Sequence, residues 1–206
     1  MNILKYLWLI LALSSFIRIS QQECIHDELK VELEEMPDEP AEPEGSSEGR
    51  LLASAWGPLR IRADFTHFRG SSSVKTYIQK KLLPPIFDYF SATLQVQRLS
   101  SLKLGSSACG LNVPSVYRSG VAADLVFFIT GEKASASWVA WAKPCIVLSS
   151  TGRAVAGQIN FNLNYIVSSS DAEFEKDMLV TMHEMTHVLG ISQSLFPKYI
   201  NRSEEH

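Results

Sequence analysis

The chain is 206 residues long and 46% hydrophobic, enough to bury a substantial core, and its length suits one domain plus extensions. Its net charge of -3 is unevenly spread: residues 23–48 hold eleven of the 22 acids and one base, Lys30, whereas residues 50–206 carry sixteen bases against eleven acids. An acidic arm therefore precedes a mildly basic body, and no basic cluster is dense enough to indicate a nucleic-acid partner.

Residues 1–20 read as a signal peptide, with Lys5, an apolar run over 6–13, then Ser14, Ser15 and a polar exit at Ser20, Gln21 and Gln22. The run is short for a bilayer span of about 20 residues, so cleavage is expected rather than anchoring, which predicts the secretory pathway and an extracellular or cell-surface product. An oxidising lumen pairs cysteines that can meet. Cys109 and Cys145 fall in the body and are expected to pair, leaving Cys24 over; Asn201 opens a glycosylation sequon near the end.

Residues 21–50, rich in Glu and broken by Pro37, Pro40 and Pro43, read as an acidic linker or disordered pro-segment whose removal would uncover a body spanning 51–206. Residues 59–65 alternate as a half-buried strand, and 73–90 have a helical pattern that Pro84 and Pro85 should break or kink. Residues 94–99 alternate again, a strand, helix, strand unit that favours a parallel pair with a right-handed crossover. Residues 100–119 read as a loop carrying Cys109. Residues 123–130 are apolar enough for a strand buried on both faces. Residues 137–149 hold Trp138 and Trp141, expected to pack the sheet, and Pro144, which argues for an edge or loop there; 153–164 alternate as a last strand. The fold class expected is α/β, a twisted mixed sheet on a backing helix and an active-site helix.

That second helix spans 170–190. Ser170 with Glu173 fits a capping box, the acids Asp171, Glu173, Glu175 and Asp177 suit the positive helix end, and Gly190 sits at the C-cap. Phe174, Met178, Met182, Met185 and Leu189 recur at helical steps and form the expected apolar face. The helix carries His183-Glu184-x-x-His187, which puts both imidazoles on one face about 6 Å apart along the axis. Imidazole nitrogen is a good zinc ligand, and a catalytic site combines three protein ligands with an open position for water. One zinc ion held by His183 and His187, with Glu184 as general base, implies peptide-bond hydrolysis of polypeptide substrates. Residues 157–162 offer a candidate substrate strand, Gly157, Gln158, Ile159 and Asn160, if that strand borders the cleft; the alternative is an interior strand. His26 and His67 lie off any ligand spacing.

With these residues in hand, the chain resembles the leishmanolysin family of zinc endopeptidases, of the metzincin group. Further matches are Ala123-Asp124-Leu125-Val126 leading to Thr130-Gly131, then Cys145, the stretch from Ala156 to Asn162, and Cys24-Ile25-His26-Asp27. The resemblance implies a zincin-like fold and a secreted or surface-anchored protease made as a latent precursor. It makes Gly190 the turn that leaves the helix and Cys24 a pro-segment cysteine holding the zinc until removal; a disulfide outside the body or an incidental thiol is the other reading of Cys24. A cell-adhesion role is implied by resemblance alone. The chain also departs from the family pattern. The third histidine of short-spaced metzincins falls on Gln193, and the later histidine, methionine turn and cysteine-rich part of leishmanolysin-like enzymes lie beyond His206. The chain thus reads as the N-terminal subdomain of a catalytic domain, truncated after the zinc helix, as a fragment, a truncated gene product or a degenerate copy, with any surface anchor lying in the missing C-terminal part. His206, Glu204 and Glu205 are the candidates in hand for a third ligand. A different class of function stays open: a secreted pseudo-protease that binds a protein or peptide partner without cleaving it.

Overall fold

The computed structural model of the chain describes residue 25 and residues 28–37, 56–166 and 171–198. The expected signal, Cys24, Ser170, Asn201 and residues 204–206 lie outside them.

Two strands form the centre of the molecule. β7 (Leu125–Glu132) is almost wholly buried and β9 (Ala154–Asn162) wholly so; they pair in parallel from Val126 opposite Ala156 to Glu132 opposite Asn162. Continuous apolar runs are what parallel strands covered on both faces require. β8 (Ala140–Leu148) pairs antiparallel with the other side of β9, β3 (Ile61–Asp64) lies parallel on β7, and β1 (Glu34–Met36) lies parallel on β8. The order β1-β8-β9-β7-β3 makes a mixed sheet in an α/β fold, as the sequence predicts. Part of the acidic arm is therefore not a bare linker: Glu34–Met36 is a sheet strand.

The strand expected at 94–99 goes elsewhere. β4 (Gln95–Gln97) pairs antiparallel with β2 (Trp56–Pro58) in a separate ribbon, so the parallel neighbour of β3 is β7 rather than the next strand in sequence. Asp124 sits at this divergence. Its buried carboxylate accepts from the Arg60 backbone N–H (3.0 Å), from Arg60 Nε and Nη2 (2.9 Å each) and from the Leu99 N–H (2.9 Å), pinning the β2–β3 bend to the start of β7. The chain turns out of the sheet at Leu59, whose N–H bonds the Leu94 carbonyl, and β4 follows β2.

The backing helix is continuous, with a π turn where a break or kink is expected. α1 (Ser72–Tyr77), capped by the Ser71 hydroxyl, runs through a π turn (Ile78–Leu82) into α2 (Leu83–Thr93). Pro84 and Pro85 bring no N–H to the ladder, and the wider turn, with Leu83 N–H bonded to the Ile78 carbonyl, absorbs the missing donors without ending the helix. Residues 100–119, expected as a loop, hold the hairpin β5 (Ser107–Ala108) and β6 (Leu111–Asn112) and the short α3 (Ser115–Ser119). Cys109 and Gly110 form the hairpin turn, both with positive φ (58° and 72°), the pattern of a primed two-residue turn.

Two cores result, one on each face of the sheet. The α1, α2 and α4 (Asp171–Leu189) side buries Ile78, Leu82, Ile86, Phe127, Ile159 and Met185. The opposite side packs Leu102, Ala108, Tyr117, Val126, Phe128 and Ala156. No helix among the described residues is long and apolar enough to cross a membrane.

Candidate active site

Acids in the first turn of α4, Asp171 and Glu173, favour its start through the helix dipole, and Gly190 at φ 155° ends it with its N–H on the Thr186 carbonyl (3.1 Å). The apolar stripe read from sequence packs against the core, Met185 buried and Phe174, Met178, Met182 and Leu189 partly so, and a more deeply buried line, Asp177, Thr181, Glu184 and Val188, runs beside it. Its polar members are satisfied inside the protein. Tyr77 Oη donates to Asp177 Oδ2 (2.9 Å), the Thr181 hydroxyl donates to the Asp177 carbonyl (2.7 Å), and the Ala142 N–H of β8 donates to Glu184 Oε2 (3.0 Å). The steps of four, three and four from 177 to 188 are a helical signal; polar identity hides it from a search for apolar periodicity.

Turning about 100° per residue, the helix sends Glu184 into the sheet while His183 and His187 share the open side. The two Nε2 atoms lie 3.3 Å apart, with the rings perpendicular. His187 Nδ1 bonds the Ile191 carbonyl at 2.6 Å, which places a proton on Nδ1 and leaves Nε2 as the nitrogen that could hold a metal ion. Zinc–nitrogen bonds of about 2.0 to 2.1 Å in tetrahedral geometry set two ligand nitrogens roughly 3.3 to 3.4 Å apart, so the pair is already at metal-binding spacing. Among the described residues His183, Glu184 and His187 form a cluster whose ligand atoms all lie within 4.8 Å of one another. Burial, and then the charge of His187, lower the His183 imidazole below its usual range, which favours the neutral, ligating form. Glu184 is 3% exposed; burial raises its carboxyl to about 7 against the opposing bond from Ala142. A carboxylate poised near neutrality can take and return a proton.

The structure brings other predicted residues together differently. Cys109 and Cys145 form a disulfide, which ties the β5–β6 turn to β8 where two steps on β8, Pro144 to Ile146, oppose one on β9. Trp138 is buried beside the sheet, while Trp141 is half-buried with Lys143 Nζ 6.0 Å from its ring. His67 is bonded to the Asn112 carbonyl at 2.8 Å, away from the cluster, and Gln193 lies exposed in the turn after α4.

Gly157, Gln158, Ile159 and Asn160 do not border a cleft, which corrects the substrate-strand expectation. β9 is bonded to β7 on one side and β8 on the other, so its backbone has no edge to offer a peptide. Gln158 Nε2 donates to Thr130 Oγ1 (3.0 Å), Thr130 donates to Asn160 Oδ1 (2.8 Å), and Asn160 Nδ2 donates to Glu132 Oε1 (2.6 Å). Gly157 serves the helix: a Cβ there would lie 2.5 Å from Val188 Cγ1. The strand edge beside the site belongs to β8, through Ala142.

A mixed sheet laid on a helix that presents two convergent imidazoles and a buried carboxylate defines a metallopeptidase framework. The family model for leishmanolysin, the M8 peptidases, matches residues 71–204, and the chain belongs to this family of zinc-dependent, extracellular or surface-attached metallopeptidases. No curated protein matches the chain.

Proposed function

We propose that this chain supplies the N-terminal part of a zinc endopeptidase site, in which His183 and His187 hold the ion and Glu184 is the general base. The observation that carries the reading is the 3.3 Å approach of the two Nε2 atoms beside a buried carboxylate. Zinc in such a site supplies Lewis acidity: it polarises a carbonyl and makes water acidic enough to lose a proton near neutral pH. Glu184 accepts that proton and returns it to the leaving nitrogen as water oxygen bonds to carbon and the C–N bond breaks. The Ala142 N–H fixes one carboxylate oxygen, leaving the other for the transfer. Polypeptides are the substrates, and residues 1–20, 21–50 and 51–206 act as signal, acidic pro-segment and catalytic subdomain of a product that leaves through the secretory pathway. Cys24 is the candidate latency ligand and Asn201 the candidate glycan site.

Glu184→Gln keeps an oxygen for Ala142 and is expected to lower hydrolysis roughly 10²- to 10⁴-fold while zinc binding, read by calorimetry, is unchanged. Equal turnover in that variant would refute the mechanism. A second reading keeps the fold and gives up the chemistry. It is a secreted pseudo-protease that binds an extended peptide without cleaving it, and peptide binding that is independent of zinc, with no turnover, would select it.

A further inference from the structure

The inner line of α4 is bonded at both ends, by two different elements. Asp177 and Glu184 stand about two turns apart, so they share one side of the helix, roughly 10 Å from each other along its axis. Glu184 accepts from the Ala142 N–H of β8 (3.0 Å), and Asp177 accepts from Tyr77 Oη (2.9 Å), which lies 100 residues earlier at the end of α1. We propose that Tyr77 and Asp177 are a positioning pair, which fixes the rotation of α4 about its own axis and so keeps Glu184 aimed at the reacting water. The inference rests on the peptidase reading only for the use made of Glu184.

Tyr77 reaches α4 through the π turn that accommodates Pro84 and Pro85. In an unbroken α-helix, at about 100° per residue, Tyr77 and Ile86 would lie on opposite sides. The π turn takes up one extra residue, with the Leu83 N–H on the Ile78 carbonyl, and brings Tyr77 back to within about 80° of Ile86, so that both are buried. The prolines that mark a break in the sequence thus sit at the turn that carries the hydroxyl inward. Burial, and then the charge of Asp177, raise that hydroxyl well above its usual range, so it stays protonated and donates.

Two apolar side chains of the same shape would fill this space at little cost in stability, so what the pair adds is direction. The apolar stripe of α4 supplies less of it. Phe174, Met178, Met182 and Leu189 are only partly buried, and methionine repacks readily when a helix turns. An oxygen roughly 5 Å from the helix axis moves about 2.5 Å in a turn of about 30°, which breaks either hydrogen bond. Without the Tyr77 bond, Glu184 is held by the Ala142 N–H alone. His183 and His187 keep their mutual spacing in such a turn, because both ride on α4.

The test compares the full chain with Tyr77→Phe/Asp177→Leu, which removes the bond and leaves neither partner buried and unpaired. Urea unfolding reports stability, and amide hydrogen exchange at Ala142, measured against the amides of β9, reports the bond to Glu184. Calorimetry reports zinc binding, and fluorescein-labelled casein reports turnover. The expected result is an unfolding midpoint near the original, Ala142 exchange about tenfold faster relative to β9, unchanged zinc binding, and kcat lowered about tenfold at constant KM. Unchanged Ala142 exchange in the folded variant would overturn the proposal, as would faster exchange with unchanged kcat. Loss of zinc binding would mean that the helix has come apart rather than turned, and would overturn it too. Faster Ala142 exchange in the variant, with no turnover by the unsubstituted chain, would uphold the positioning pair and remove the peptidase reading. Should the double variant fail to fold, two single variants decide. Asp177→Asn keeps an acceptor for the Tyr77 hydroxyl and should leave Ala142 exchange within about twofold of the original, whereas Tyr77→Phe should accelerate it about tenfold. Equal exchange in the two would overturn the assignment.

Discussion

On the helix side of β9, Gly157, Ile159 and Phe161 meet α4, and the contact depends on what Gly157 lacks, since a Cβ would strike Val188. On the other side Gln158, Asn160 and Asn162 form a line of polar side chains, and there the contact depends on what the residues carry. Asn162, fully buried, donates to the Ala134 (3.0 Å) and Trp138 (3.1 Å) carbonyls and accepts from the Ala134 (3.2 Å) and Asn164 (3.1 Å) amides. One face thus sets how closely the site helix approaches the sheet, and the other sets where the β7–β8 connection lies and so how β8 enters beside Glu184. The same strand supports the site sterically on one face and by hydrogen bonding on the other.

The largest effect is expected on the polar face. Asn162→Ala leaves several buried backbone groups without a partner and should cost about 3 kcal/mol, measured by urea unfolding. A loss below about 1 kcal/mol would mean that water replaces the side chain and that the polar face is less demanding than its bonds suggest. On the steric face Gly157→Ala should cost about 2 kcal/mol by overpacking. Val188→Ala makes room for the added methyl, so the double variant should be more stable than the sum of the single losses predicts. Strict additivity would break the claim that this pair sets the helix distance.

A pH-dependent effect separates two buried aspartates. Burial alone would raise the Asp124 carboxyl, but bonds from the Arg60 side chain and the Leu99 and Arg60 amides, with the Arg60 charge, hold it below the usual range. Its stabilisation is present above the unfolded pKa of about 4 and is lost as pH falls through the lower folded value. Asp177 has the opposite sign: burial raises it to about 6 despite the Tyr77 hydrogen bond. The folded state binds the extra proton, so its contribution is full below about pH 4 and is lost as pH rises through about 6, on the order of 1 to 3 kcal/mol. Asp177→Asn should remove that loss between pH 4 and 7 in thermal melts, while Asp124→Asn should destabilise most at neutral pH. A parallel response in the two variants would show that burial alone, and not the partner, decides the sign.

Much of the site was readable in the chain because it is local. His183, Glu184 and His187 lie within two turns of one helix, so spacing alone fixes that two imidazoles share a side and the carboxylate turns away. The buried run of β7 and the mixed α/β class follow from hydrophobic pattern in the same way. Other features needed partners far along the chain, which no local period encodes. Pattern made Gly157 to Asn160 a strand but could not give its place in the sheet, and its two neighbours turned a candidate rail into an interior element. Asp124 reads as one acid at the head of an apolar run until Arg60, 64 residues earlier, closes on it, and β4 pairs with β2 outside the main sheet. Composition marked residues 21–50 as too polar for a core, and Glu34–Met36 nonetheless forms a strand because an edge strand is recruited by the backbone groups of β8, which every sequence carries alike. The sequence by itself determined how the two imidazoles and the carboxylate are placed on the helix, because residue spacing is a property of helical geometry. Only the tertiary structure decided which strand borders that helix and what covers its edge, because strand order and pairing are settled by contacts between distant residues.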